Sequence, residues 1–161
     1  MDAQRSETEA ERSDRNWAEL VQELRVAQTG VQVLAGFLLT LPFTTRFGDL
    51  DDPHRVTYLV AFSLAVLTVC LLTAPVVLHR FLFARGAKDV LVGAGARLAA
   101  LGLATMGLTL VVVVDLIFGV VVDDVAGHVA AALALLVYAG AWVALPAALL
   151  RRADAASAGR R

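Results

Sequence analysis

The sequence predicts an all-α, polytopic membrane protein: four transmembrane helices, with an N-terminal amphipathic cytoplasmic helix leading into the first. Three observations carry this. Hydrophobic residues make up 58% of the 161, and mean hydropathy is +0.71, above the roughly even balance of soluble domains. The charges crowd into residues 1–25, 46–55, 79–97 and 151–161. Between them lie four apolar runs, Val26–Thr45, Val56–Leu78, Leu98–Val122 and Val125–Leu150, of 20, 23, 25 and 26 residues. At about 1.5 Å of rise per residue, about 20 residues cross a hydrocarbon core roughly 30 Å thick. Lipid offers the backbone no hydrogen-bond partners, so each run should be a helix.

Residues 1–15, MDAQRSETEAERSDR, are polar and lack apolar periodicity, so a disordered cytoplasmic segment is expected. The transmembrane domain is expected over 16–150. Asn16, with Glu19 three residues on, has the spacing of a capping box. Trp17, Leu20, Val21, Leu24 and Val26 then give an apolar face, with Trp17 suited to a membrane interface. Gln22, Arg25, Thr29 and Gln32 recur at steps of three and four, continued by Gly36 and Thr40. Such a polar stripe should meet protein or water rather than lipid. Pro42 should bend or end this helix. The run is an unsuitable signal peptide, since it begins some 25 residues in and no small-residue cleavage site follows.

Asp52-Pro53 marks a turn before the second span, which holds Ser63, Thr68, Cys70, Thr73 and Pro75 and ends at His79 and Arg80. Cys70 is the single cysteine and reads as a small buried hydrophobe. In the third span Ala96, Ala100 and Ala104 recur every four residues, a spacing that lets a neighbouring helix approach. The fourth has Ala130 and Ala134 in the same pattern, then Tyr138, Trp142 and Pro146. The tail 151–161 is basic and should lie flexibly near anionic headgroups. Twelve of the fourteen basic residues precede the first span, lie between the second and third, or follow the fourth. Positively charged loops stay inside, so both termini are expected to be cytoplasmic in a bacterial plasma membrane.

Asp115 interrupts the third apolar run. It lies eight residues before Asp123, about 12 Å along a helix, and so within the hydrocarbon. Inserting an aspartate near the centre costs about 2.5–3.5 kcal/mol, and each large apolar residue returns about 0.3–0.6. The neighbours from Leu108 to Val122 can offset it, so insertion alone demands no partner. Desolvation favours the neutral acid, and an acid that loads and releases a proton is what a proton-coupled carrier needs. The competing reading is an aspartate that only orients helix packing. Thr40 and Ser63 are its candidate companions at similar depth, and Gly119, four residues on, leaves room for a partner helix.

The remaining polar residues suggest no chemistry of their own. His128 reads as interfacial, His79 and Arg80 as a snorkelling helix end, and His54 as solvated charge beside Asp51 and Asp52. No nucleophile–base pair, zinc spacing or phosphate loop is present, so no catalytic or metal residue, no cofactor and no nucleic-acid partner is expected. The G-x-G of GAGARLAALG follows no strand, so the dinucleotide fingerprint fails.

At ELVQELRVAQTGVQVLAGFLLTLPF and APVVLHRFLFARGAKDVLV the chain resembles a family of small four-helix bacterial membrane proteins of unknown function, common in actinobacteria. The resemblance covers about residues 16–150. Some relatives carry a sodium:proton antiporter label, which implies a link to ion movement, and the family has no established functional residues to carry over. The expectation is a non-enzymatic membrane component linked to proton or cation movement. The alternative is a structural or regulatory subunit. Its partners should be the bilayer and either a second copy or another membrane protein.

Overall fold

The computed structural model describes residues 9–82 and 88–158. Helix α1 runs Glu9–Thr40, followed by 3-10 turns at Leu41–Phe43 and Thr45–Asp49. Then come α2 (Asp52–Leu82), α3 (Lys88–Val121) and α4 (Asp124–Ala139). A π turn at Gly140–Ala144 leads into α5 (Leu145–Ala158). Four stretches are long and apolar enough to cross a membrane: Arg15–Phe43, Asp52–Arg80, Val92–Val121 and Asp124–Ala156. The protein is therefore an all-α polytopic membrane protein, and there is no strand among the described residues.

Local chemistry sets the boundaries. Thr40 ends α1 because Pro42 occupies the following 3-10 turn and cannot donate to a continuing helix. Asp51 accepts the His54 backbone N–H at 3.1 Å, and Asp123 accepts that of Ala126 at 2.8 Å, so each caps the helix that follows it. Pro146 lies just past the π turn in a stretch that stays helical, so the wider turn takes up the rung that its missing N–H cannot make.

Three expectations need correction here. Residues 9–15 are helical rather than disordered, since Glu, Ala and Arg are strong helix formers and Arg15 pairs with Glu19 one turn on, at 3.7 Å. Asn16 therefore sits inside α1 and caps nothing. The tail from Arg151 continues α5 to Ala158, helped by its alanines. Residues 1–8 and 159–161 of the two expected terminal segments lie outside the described residues.

The chain divides into two compact units: Met1–Asp49 with Phe62–Met106, and Leu50–Ala61 with Gly107–Arg161. In the first, Leu24 and Val31 of α1, Leu72 of α2 and Ala99 of α3 form the core, with Leu20, Ala27, Val69 and Met106 against it. The α2–α3 approach is set by Gly102: a Cβ there would stand 2.5 Å from Leu72 Cδ2 and 3.3 Å from Leu72 N. The buried small residues are thus Gly95, Ala99 and Gly102, and Ala96, Ala100 and Ala104 are exposed. Alanine spacing could not distinguish two adjacent faces of a helix that is apolar all round.

Two polar contacts add direction. Pro75 removes one rung of α2, and Gln28 of α1 donates its amide to the adjoining Leu72 carbonyl at 2.7 Å. Such a bond from a neighbour helps a membrane helix tolerate a proline. Buried Thr68 donates to the Leu64 carbonyl at 2.8 Å and lies 3.0 Å from the Thr105 hydroxyl of α3. Near the start of α1, Trp17 stacks on His79, with ring centroids 5.1 Å apart. Cys70, expected to be a small buried hydrophobe, is instead exposed on α2, because it falls on the side of the helix away from the buried Leu72.

Gly102→Val should lower unfolding stability in detergent micelles by about 1–3 kcal/mol, the usual scale of overpacking. Gly93→Ala, with nothing within 4 Å of its added carbon, should leave stability unchanged or slightly higher. Equal melting of the two variants would contradict this account of the α2–α3 contact.

Candidate functional site

The second unit contains a helical hairpin, α3 into α4, turning at Val122 and Asp123. Its tightest point is Gly127, where a Cβ would stand 2.8 Å from the Asp115 carbonyl oxygen and 3.0 Å from Gly119 N. Gly119 also receives the first turn of α2: His54 Nε2 lies 2.8 Å from where its Cβ would be. Two residues without side chains therefore let three helix segments converge beside Asp115. Further along the hairpin, Gly107 faces Tyr138 and Trp142, whose rings meet edge-on at 5.0 Å.

The convergence encloses a cavity of about 160 Å³ lined by His54 and Thr57 of α2, Asp115 and Gly119 of α3, and Asp124 and His128 of α4, with Pro53 at its edge. Asp115 is about three-quarters buried, with 27% of its side chain exposed, and His54 is 17% exposed. Asp124 and His128 are largely open. The cavity thus connects an acid within the apolar third helix to exposed polar groups at the hairpin end.

His54 is held between two carboxylates, with Nδ1 2.5 Å from Asp51 Oδ1 and Nε2 3.4 Å from Asp124 Oδ1. Donation at both nitrogens requires the protonated ring. The side-chain and backbone hydrogen bonds from His54 hold the Asp51 carboxyl below its ordinary value of 3.8. His128 points Nδ1 at the Asp124 backbone carbonyl, and the same nitrogen lies 3.9 Å from Asp115 Oδ1. That distance suits an ion pair and exceeds a direct hydrogen bond. No group of three or more ligating side chains able to hold a metal ion occurs among the described residues.

Asp115 therefore has ionisable companions, contributed by helices other than its own. The sequence singled out Asp115 and missed His54, Asp124 and His128 as its neighbours. Part of the signal was present: a hairpin turning at Asp123 sets Gly119 opposite Gly127 and brings His128 back toward Asp115. Thr40 donates its hydroxyl to the Phe37 carbonyl at 2.7 Å within its own helix, and Ser63 is exposed on α2. Both belong to the first unit and are not among the lining residues. Gln22, Arg25, Thr29 and Gln32 are all exposed on α1, with Thr29 bonded back to the Arg25 carbonyl at 3.0 Å.

A family model described as a family of unknown function, DUF6328, matches residues 6–146. No curated protein and no solved structure matches the chain.

Two outcomes test this geometry. Because the folded-state pKa of Asp51 is lowered, its contribution to stability is present above about pH 3.8 and is lost as pH falls below that value. Asp51→Asn should therefore flatten the acid limb of a melting-temperature profile taken from pH 5 down to 2. Gly127→Ala should strain the hairpin and lower the melting temperature, whereas Gly140→Ala, with open space around it, should not.

Proposed function

The chain belongs to DUF6328, a family of unknown function, and from that premise we propose that it is a non-enzymatic bacterial plasma-membrane component that handles protons at Asp115. One observation carries the reading: His54, Asp124 and His128, from two other helices, converge on an acid embedded in an apolar span. Intramembrane carboxyls facing a polar cavity mark proton and ion pathways. The asymmetry of arginine supports placing both termini in the cytoplasm and this cavity on the outer side.

In this reading a proton enters from outside through the exposed carboxyl of Asp124 and the imidazole of His128. The ring accepts at one nitrogen and releases from the other, and a small movement or a bridging water closes its 3.9 Å gap to Asp115. Asp115 can carry a proton as the neutral acid or, as the carboxylate, face a protonated His128 across that gap. Its two charge states therefore favour different local arrangements, the minimum a proton-coupled device needs.

A structural subunit is the second reading, favoured by the tight glycine contact at Gly127, which would fix the hairpin whether or not protons move.

Reconstitution into liposomes containing a pH-sensitive dye separates the two. Under an imposed sodium or potassium gradient the wild type should move protons, Asp115→Asn should fall to the leak rate, and His128→Gln should slow transfer roughly a hundredfold. A wild type that leaves the pH gradient untouched with every cation tried, or an Asp115→Asn variant as fast as wild type, would overturn the proton reading.

A further inference from the structure

The polar stripe of α1 is exposed, and no described residue of its own unit covers it. At about 100° per residue, Gln22, Arg25, Thr29, Gln32, Gly36 and Thr40 fall within an arc of about 80°. The buried residues Leu24, Val31 and Leu38 are centred about 140° away around the helix. The stripe therefore points away from the core of its own unit. Thr29 and Thr40 satisfy their hydroxyls within α1. The Gln32 side chain makes no hydrogen bond among the described residues, although it lies about two turns inside the apolar run that starts at Val26. Hydrocarbon supplies none either. Gly36 sits one turn beyond, with nothing within 4 Å of the position a Cβ would take.

We propose that this face is a self-association surface: a second copy of the chain packs α1 against α1, with Gln32 paired to Gln32 and the backbones closest at Gly36. A carboxamide both donates and accepts, so two identical ones satisfy each other. Copies inserted with the same topology and related by a two-fold axis along the membrane normal bring the same residues together at the same depth. An unrelated helix would need a matching polar group at that level. Gly36 and Thr40, four residues apart, are the small pair that lets membrane helices approach closely. Arg25, near the aqueous end of the span, keeps its guanidinium at the headgroups, where two positive charges are screened. This interface involves α1 alone, so it stands or falls independently of proton handling at Asp115.

Disulfide trapping and energy transfer test it. In a Cys70→Ser background, Gly36→Cys should form a cross-linked dimer in native membranes under mild oxidation, and Leu136→Cys on the exposed side of α4 should not. In lipid vesicles, copies carrying donor or acceptor dye at Ala155→Cys should show energy transfer that rises with protein-to-lipid ratio. Gln32→Leu, at an exposed site where it leaves the fold intact, should move the midpoint roughly five- to tenfold toward higher protein density. The proposal is overturned if energy transfer stays at the random-encounter level, if Gln32→Leu leaves the midpoint unchanged, if Leu136→Cys cross-links as well as Gly36→Cys, or if Gly36→Cys traps a different membrane protein and no homodimer.

Discussion

Lipid neither hydrogen-bonds to a peptide group nor squeezes apolar surfaces together, and both facts shape this protein. The first makes every span a helix, because only there does each segment satisfy its own backbone. The second removes the force that would hold the helices together in water, since a leucine against lipid tails is as well solvated as one against another leucine. What remains is close van der Waals contact and a few polar bonds. The structure shows both where they are needed. Gly102 takes the Leu72 side chain, Gly127 takes the backbone at Asp115 and Gly119, and Gln28 and Thr68 supply interhelical polar contacts.

The same glycines that permit packing also build the cavity. A side chain at Gly119 would collide with His54, and one at Gly127 would push α4 off the Asp115 carbonyl. Either change would separate the histidines from the acid. The caps contribute as well. Asp51 starts α2 and holds the His54 ring, so one carboxylate sets both a helix boundary and an imidazole orientation. Helix-end chemistry and site chemistry are here the same residues, which is why the polar cluster gathers where the hairpin turns and α2 begins.

Asp115 shows how much a neighbour changes the meaning of a residue. By insertion energetics it needs no companion, because the apolar residues around it can offset its cost. Placed beside His128 and open to Asp124 and His54, it becomes part of an ionisable chain with a 2.5 Å contact at one end and a 3.9 Å gap at the other.

The sequence by itself determined the class, four apolar stretches long enough to cross a membrane and the end of α1 at Pro42. These follow from run length, local capping and charge distribution, which act within a few residues. It misjudged the ends, where helix formers at 9–15 and 151–158 extend α1 and α5 through charged segments expected to lack structure. Only the tertiary structure decided which face of each helix is buried and which groups surround Asp115. A soluble helix reveals its inner face by the contrast between apolar and polar sides. A helix bathed in lipid is apolar on both, so Gly95, Ala99 and Gly102 could not be told from Ala96, Ala100 and Ala104 by pattern, and the polar stripe of α1 turned out to face away from the core.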